Sequence, residues 1–333
     1  MTQILPVTHS TLEAEALVAE VWQDYSLAEP ITRSLFRFGL NDHYVVKSPD
    51  GDYVLRAYHH GWRSEDDIVY ELTALIHLQK RGAPVCAPIA RRDGSYYRYI
   101  SAPEGPRAVA LFPYAAGRIP DVGKEDEYRA YGRTLGMIHR YTDDFICRSQ
   151  RFPIDLAHLI DQPLANMLPF LQHRPADVAF VQAVAREVRT ELQAQINNLE
   201  WGFCHGDFHG GNAHVDSKGM LRVYDFDCCG PGWRAYDLAV CLWGGGASEI
   251  AWTAFCQGYE EIHPLPKSTR QAIPWFVVAR QLWLIGLHIS SGIHKAGVWF
   301  LNDNYFNHHL GIVRKLIEQH VPDLAVKAGA VVL

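Results

Sequence analysis

The spacing of apolar and polar positions changes twice along the first third of the chain. Residues 10–28 repeat apolar side chains at helical spacing, whereas residues 35–58 alternate with the period of two that is typical of strands. Within the second stretch, HYVVKS and DYVLRAY flank the turn sequence Pro-Asp-Gly, which predicts a β-hairpin. The next segment, SEDDIVYELTALIHLQKRGAPV, predicts a helix with Ser64 as its N-cap and Gly82 as its terminator. Glu71 lies beside the apolar face of this helix.

Two further strands are predicted at 96–101 and 108–114, and the linker AAGRIPD follows them. Beyond the linker the spacing is mainly helical, apart from a loop and a second hairpin within residues 201–227. A strand-rich first third and a helix-rich remainder indicate an α+β protein. We therefore predict two domains, a small antiparallel one at 1–114 and a larger, mainly helical one at 115–333.

Composition narrows the classes of partner. The 333 residues carry a net charge of −6 without a basic block, which argues against nucleic acid as a partner. Seven cysteines without a C-x-x-C pair indicate reduced thiols, and no signal peptide is recognised, so we expect a cytoplasmic protein. The apolar stretch 272–293 contains Arg280, Gln281 and His288, so we expect a buried helix and no membrane span. The oligomeric state stays open.

The segment WGFCHGDFHGGNAHVDSKGMLRVYDFD (201–227) concentrates polar side chains and glycines next to apolar runs. A metal hydrolase is one explanation; its candidate ligands are His205, Asp207, His209 and His214. The glycines make a metal-binding helix improbable there. A purely structural loop, in which His and Asp satisfy each other, is the second explanation. It accounts for the glycines, but not for Asn212 and Asp225 at the two ends of one predicted hairpin, where their side chains should meet.

Phosphoryl transfer is the third explanation, and it uses more of the pattern. This chemistry needs a carboxylate that orients the attacking hydroxyl and oxygen ligands that hold Mg²⁺ on the nucleotide phosphates. The kinase arrangement H-x-D-x-x-x-x-N, then a hairpin and D-F, supplies both. Here His205, Asp207 and Asn212 have that spacing, and Asp225 follows the hairpin. Asp207 is then the catalytic base, and Asn212 and Asp225 are the metal ligands.

A kinase also needs a nucleotide site, and the first domain offers its parts in order. The hairpin RFGLNDHYVV, which contains Asn41, would cover the nucleotide; Arg56 would be the phosphate-binding cation, and Glu71 would hold it. The segment from Phe112 to Tyr114 would be a hinge whose backbone bonds adenine. Two alternatives stay open: an exposed strand residue for Arg56, and a plain core residue for Phe112.

The sequences CHGDFHGGNAHV, LRVYDFD and GPGWRAYDLAV resemble the aminoglycoside phosphotransferase and choline kinase superfamily, in particular its homoserine kinase type II and RdoA-like stress-response kinases. The resemblance covers nearly the whole chain. It implies a bilobal protein-kinase-like fold with a small antiparallel-sheet N-lobe and a larger, mainly helical C-lobe. It also implies ATP and Mg²⁺ as cofactors, the roles given above, and Asp237 as a support of the catalytic loop. Asp227, where the family often has Gly, is a further metal or substrate contact or a turn residue; we favour the turn.

Only eleven residues separate Asp225 from Asp237, and no A-P-E triplet follows, which leaves no room for a long activation loop. We therefore expect a small polar acceptor with a hydroxyl group, such as an amino alcohol, aminosugar, sugar or aminoglycoside-like compound. The alternatives are an RdoA-like Ser/Thr protein kinase and a nucleotide-binding pseudokinase. Candidates for the wall of the acceptor site are Trp243, Trp275, Trp283, His288, His294 and Trp299.

Overall fold

The computed structural model describes residues 5–245 and 248–324, without the side chains of residues 293–296. The first part of the chain forms a sheet and two helices: α1 (Ala14–Trp22), β1 (Thr32–Phe38), β2 (Asn41–Ser48), β3 (Gly51–Tyr58), α2 (Glu65–Lys80), β4 (Arg98–Ala102) and β5 (Gly105–Pro113). The five strands are antiparallel, in the order β1-β2-β3-β5-β4. The predicted hairpin joins β2 to β3, with Ser48 opposite Gly51. The first helix spans nine residues and is shorter than the stretch 10–28 in which the sequence has helical spacing.

The start of α2 is fixed by a reciprocal cap. The Ser64 hydroxyl accepts the N–H of Asp67 at 3.2 Å, and the Asp67 carboxylate accepts the N–H of Ser64 at 3.0 Å. Two main-chain donors that the helix leaves without a partner are thereby satisfied. The helix then buries Glu71 completely among apolar neighbours. A buried carboxylate needs a charged or hydrogen-bonding partner, and β3 supplies one.

The remainder of the chain is mainly helical. Its helices are α3 (Glu125–Tyr141), α4 (Gln162–Leu171), α5 (Pro175–Gln195), α6 (Arg234–Gly245), α7 (Glu249–Glu260), α8 (Lys267–Ala296) and α9 (Asp303–His320). Its short strands are β6 (Trp201–Cys204), β7 (Ala213–Val215), β8 (Leu221–Val223) and β9 (Gly230–Trp233). β6 pairs with β9, and β7 pairs with β8 as the second predicted hairpin.

The chain divides into two compact units. The first runs as far as Arg118 and also takes in Phe145–Arg151 and His214–Tyr224. The second contains Ile119–Asp144, Phe152–Ala213 and the chain from Asp225 onward. Two later segments therefore pack with the first unit, which a single division after residue 114 does not anticipate.

Helix α8 carries the apolar stretch that resembles a membrane span. Its part Lys267–Gly292 is long and apolar enough to cross a membrane by length and composition, yet 72% of its apolar window is buried inside the protein. It packs against α4, α5, α6 and α9. This agrees with the expectation of a buried helix. None of the seven cysteines, all of which lie in the described residues, forms a disulfide.

Candidate active site

The loop between β6 and β7 carries the predicted catalytic residues. Gly206 adopts a φ of +78°, and a Cβ atom there would collide with the main-chain carbonyl of Cys228, so only glycine fits. The loop ends in a single 3-10 turn at Gly210–Asn212 and forms no α-helix. Among the described residues, His205, Asp207 and His209 do not form a cluster of converging metal ligands. Instead His205 Nδ1 accepts the N–H of Asp207 at 3.2 Å, which disfavours the hydrolase explanation.

Both carboxylate oxygens of Asp207 are held by neighbours. Oδ1 accepts a hydrogen bond from the guanidinium of Arg280, and Oδ2 accepts one from the Asn212 amide nitrogen at 2.9 Å. His209 Nε2 lies 3.5 Å from Oδ2. The side chain remains 21% exposed, so a ligand can reach it. A fixed but accessible carboxylate is the geometry that a catalytic base requires.

The charge state of Asp207 follows from these neighbours. Burial alone would raise its pKa, but the charge of Arg280 and the hydrogen bond from His209 outweigh burial and hold the pKa well below its usual value. His209 Nδ1 accepts the N–H of Gly211 at 3.1 Å, which leaves the ring proton on Nε2, facing Asp207. Asp207 is therefore ionised at neutral pH.

Asn212 and Asp225 flank the β7–β8 hairpin, as predicted. The Asn212 amide nitrogen donates to Oδ2 and, at 3.0 Å, to the main-chain oxygen of Asp207, so its side-chain carbonyl is left as an oxygen ligand. Asp225 has φ 75° and ψ 66°, the left-handed conformation, and no other non-glycine residue in the described chain has a positive φ. Such strain persists at functional sites. Asp227 lies buried in the 3-10 turn Phe226–Cys228, which fits the turn role.

Asp237, at the start of α6, accepts hydrogen bonds from the main chain of the catalytic loop. Its carboxylate accepts the N–H groups of His205 at 2.6 Å and Gly206 at 2.8 Å. It also bonds to His139 Nε2 at 3.1 Å, and the Tyr259 hydroxyl lies 2.8 Å from His139 Nδ1. Burial lowers the pKa of His139 to about 4, so the ring is neutral at pH 7 and donates from Nε2 to Asp237. The sequence predicted Asp237, but it gave no indication of His139.

Arg280 is the second residue that the sequence reasoning missed. It lies in the middle of α8 and is 3% exposed, with its guanidinium carbon 5.0 Å from the ring centre of Trp243 and 4.4 Å from that of Trp283. The sequence shows Arg280 as a charged residue within the apolar stretch 272–293. That position by itself argues only against a membrane span. Of the other wall candidates, His288 bonds to Tyr305, Trp299 is 76% exposed, and the side chain of His294 lies outside the described part.

In the first unit, the predicted pair of Arg56 and Glu71 is formed. Arg56 NH1 donates to Glu71 Oε1 at 2.6 Å, and the Tyr58 hydroxyl donates to Oε2 at 2.9 Å. Both charged side chains are buried, so the alternative of an exposed strand residue for Arg56 is wrong. The guanidinium also lies 4.9 Å from the ring centre of Phe112. Phosphate binding by Arg56 stays a prediction.

The predicted hinge from Phe112 to Tyr114 has few main-chain donors to spare, and binding of adenine by its backbone stays a prediction. The N–H of Tyr114 donates to the Asp52 carbonyl at 3.0 Å, and Pro113 has no N–H, so neither amide is available to adenine. Ala115 has the next amide along the chain. Asn41, at the start of β2, is 2% exposed, and its side-chain oxygen finds no hydrogen-bond partner within the described residues. A buried polar atom in this state is typical of a ligand or water site.

Comparison with known proteins adds to this geometry. A sequence model described as "Phosphotransferase enzyme family" matches residues 39–270. An uncharacterized protein of Deinococcus radiodurans is 38% identical over 95% of this chain and 93% of its own length. A homoserine kinase of Xanthobacter autotrophicus is 26% identical over 70% of this chain and 72% of its own length.

Two solved structures share the fold. A microcompartment-associated aminopropanol kinase has a TM-score of 0.72 at 18% identity, covering 94% of this chain and 99% of that one. An amicoumacin kinase in complex with AMP-PNP, Ca²⁺ and Ami has a TM-score of 0.70 at 19% identity, covering 92% of this chain and 93% of that one. At these identities the likeness shows the fold alone, and it confirms the α+β kinase fold expected from the sequence.

Proposed function

Because the chain belongs to the phosphotransferase enzyme family and is a kinase, we propose that it transfers the γ-phosphate of ATP to a hydroxyl group of a small polar molecule. One observation carries this proposal: the ionised Asp207 and the Asn212 amide are joined by a hydrogen bond of 2.9 Å in an accessible loop. The free thiols support a reducing, cytoplasmic location.

Asp207 acts as the base through one of its two oxygens. Oδ1 accepts from Arg280, and we assign the acceptor to Oδ2, which accepts from the Asn212 amide and lies beside His209 Nε2. The acceptor hydroxyl donates its hydrogen bond to Oδ2, which directs the hydroxyl oxygen at the phosphorus atom. Because the pKa of Asp207 is low, the carboxylate takes the proton late, as the new oxygen–phosphorus bond forms.

Asn212 and Asp225 would hold Mg²⁺. Their carbonyl and carboxylate oxygens are the hard donors that this ion prefers, and the Asn212 amide nitrogen is already turned toward Asp207. The bound ion would neutralise negative charge on the phosphates. The presence of AMP-PNP and Ca²⁺ in the solved amicoumacin kinase supports a nucleotide and a divalent ion in this fold.

The remaining nucleotide contacts lie in the first unit. Arg56, fixed by Glu71, would bind phosphate oxygens, and Asn41 lies in the hairpin that would cover the nucleotide. For the adenine we assign the donor role to the Ala115 amide, because the Tyr114 amide is occupied. Phe112 and Tyr114 would then border the base with their rings.

The acceptor is not expected to carry several positive charges. Helix α8, whose Arg280 touches Asp207, contains no Asp or Glu from Lys267 to Ala296. The two acids just before it form ion pairs elsewhere, Glu260 with Arg270 and Glu261 with Arg133. A polycationic aminoglycoside would find few acids here, so we rank small hydroxyl compounds first. Relatives named for homoserine and aminopropanol support this choice.

Transfer of labelled γ-phosphate is the direct test. The protein is incubated with γ-labelled ATP and Mg²⁺ against separate pools of hydroxy amino acids, amino alcohols, sugars, aminoglycosides and a generic protein. We expect label in a small molecule outside the aminoglycoside pool. Label in protein alone would replace this proposal with a protein kinase, and ATP binding without any transfer would replace it with a pseudokinase.

The matched variant is Asp207→Asn. Turnover should fall roughly 10²–10⁴-fold, the usual contribution of a general base. ATP binding, measured by isothermal titration in the presence of Mg²⁺, should be retained because the proposed metal ligands are unchanged. Turnover near that of the wild type would show that Asp207 is not the base.

A further inference from the structure

Arg280 is a buried cation whose main partner is the proposed base. Its guanidinium donates to Asp207 Oδ1 and lies 3.5 Å from the Gly206 carbonyl and 3.4 Å from the Tyr236 hydroxyl. It therefore contacts both the side chain of the base and the main chain of the loop that carries it. Within the described residues, no other positively charged Arg or Lys pairs with Asp207.

The guanidinium carbon of Arg280 lies over the indole rings of Trp243 and Trp283, 5.0 Å and 4.4 Å from their centres. Both indoles are themselves fixed: Trp243 Nε1 donates to Gln281 Oε1 at 2.9 Å, and Trp283 Nε1 donates to His158 Nε2 at 2.8 Å. A planar guanidinium packs well over flat rings, whereas the compact ammonium of lysine does so less well. These contacts, from elements outside the catalytic loop, restrict the position of the guanidinium.

We propose that Arg280 is a positioning residue for phosphoryl transfer: packed over Trp243 and Trp283, it holds Oδ1 of Asp207 so that Oδ2 faces the acceptor hydroxyl. This inference rests on the proposed role of Asp207. Without Arg280, the carboxylate would keep its bond to Asn212 but lose the hydrogen bond to Oδ1, and small misplacements of a catalytic group are costly in rate. Stability alone is a weak reason for the pair, since well-packed apolar residues usually stabilise a core as well as a buried ion pair does.

The first experiment compares Arg280→Gln and Arg280→Lys with the wild type, using the acceptor that the transfer assay identifies. We expect kcat to fall about 10²-fold for Arg280→Gln, the scale of a misplaced catalytic group. Arg280→Lys keeps the positive charge but lacks the planar guanidinium. Its kcat should fall about tenfold, to a value between those of the wild type and Arg280→Gln. The KM for ATP should stay within about twofold, because the proposed nucleotide ligands are untouched. The control is Arg270→Gln on the same helix, whose partner Glu260 is exposed; it should match the wild type.

A double variant separates positioning from a general structural role. If Arg280 acts through Asp207, Arg280→Gln should cause no further loss of turnover in the Asp207→Asn background. A merely structural residue would lower turnover again by the same factor. Added guanidinium should partly restore the kcat of Arg280→Ala and should leave Asp207→Asn unchanged. If Arg280→Gln does not fold, the Arg280→Lys kcat and its comparison in the Asp207→Asn background decide the question.

The activity of the wild-type protein distinguishes failure of the positioning role from failure of the proposed function. If the wild-type protein transfers phosphate and Arg280→Gln transfers it at the same rate, the positioning role is wrong and the proposed function stands. If the wild-type protein transfers phosphate to no acceptor, the proposed function itself fails, and Arg280 with it. A rise in the KM for ATP without a fall in kcat would also overturn the positioning role.

Discussion

At Asp225 the backbone adopts the left-handed conformation, which is unfavourable for most residues other than glycine. A left-handed residue costs about 1–3 kcal/mol unless it is glycine, and asparagine and aspartate are the mildest exceptions. The protein tolerates this at Asp225, which we propose as a metal ligand directly after the β7–β8 hairpin. The strain is therefore expected to serve metal binding at the expense of stability.

Replacing Asp225 by Gly should separate the two effects. The free energy of unfolding should rise by about 1 kcal/mol, because glycine adopts this φ without a Cβ penalty. Binding of ATP in the presence of Mg²⁺ should be lost, since the carboxylate is gone. Urea unfolding and isothermal titration measure the two quantities.

Asp225→Asn is the matched control for this change. Asparagine also tolerates the left-handed region, so stability should stay near that of the wild type, while the loss of one charge weakens Mg²⁺-dependent binding. If Asp225→Gly kept full Mg²⁺-dependent binding of ATP, Asp225 would not be a metal ligand.

Residues that lie close in sequence were predictable at this scale, and residues that meet through packing were not. Asp207 and Asn212 have a spacing with a chemical meaning, and the structure joins them by a hydrogen bond. Arg280 and His139 reach the catalytic loop from α8 and α3, through helix packing. No local pattern specifies which helix faces the loop, so these partners could not be read from the sequence.

Helices α3 and α7 pack closely against each other at glycines, two of which are Gly132 and Gly258. A Cβ atom on Gly132 would collide with the main-chain carbonyl of Phe255, and one on Gly258 with that of Arg129. This contact matters for the site because His139 on α3 bonds to Tyr259 on α7 and to Asp237 beneath the loop. Glycine therefore sets the distance on which that network depends.

Gly258→Ala should push the two helices apart. We expect a loss of about 1–3 kcal/mol in the free energy of unfolding, the usual range for overpacking. Turnover should fall as well, since His139 would lose its contacts. Urea unfolding and the transfer assay test both expectations.

The control lies in another helix. Gly311→Ala, in α9, has no atom within 4 Å of the new Cβ and should stabilise the protein by about 0.5–1 kcal/mol, because alanine favours helices. Equal stabilisation by Gly258→Ala would contradict the close packing of α3 and α7.

Elements with strong local signals were predicted well. The Ser64 cap and the Pro-Asp-Gly turn gave α2 and the β2–β3 hairpin at nearly their observed positions. The hinge stays a prediction, and the hydrogen bond of the Tyr114 amide was not foreseen, because it depends on how β5 pairs with β3. Sheet register is a non-local property, so a strand can be recognised without knowing which of its end groups stay available.

At the scale of the whole molecule, the division into units shows the same limit. Segments Phe145–Arg151 and His214–Tyr224 follow long stretches of the second unit, yet they pack with the first. Composition changes near residue 115, and that signal places one boundary. Composition cannot show that these two later segments pack with the first unit, because tertiary contacts decide that packing.

The stability of the whole molecule should depend on pH through His139. Burial lowers the pKa of this residue from its ordinary 6.5 to about 4 in the folded protein. Between these values the unfolded chain binds a proton that the folded protein does not, so stability is present above about pH 6.5 and is lost as the pH falls toward 4. From pH 7 to pH 5, the contribution of His139 should fall by about 2 kcal/mol, since each pKa unit corresponds to about 1.4 kcal/mol. Urea unfolding at the two pH values measures the total loss of stability, to which carboxylates that take up protons also contribute.

The control is His139→Gln, which cannot take up a proton. The free energy of unfolding of this variant should depend on pH less strongly, by about the same 2 kcal/mol. An unchanged dependence in this variant would mean that folding does not lower the pKa of His139, so that the folded protein takes up this proton between pH 7 and pH 5 as the unfolded chain does.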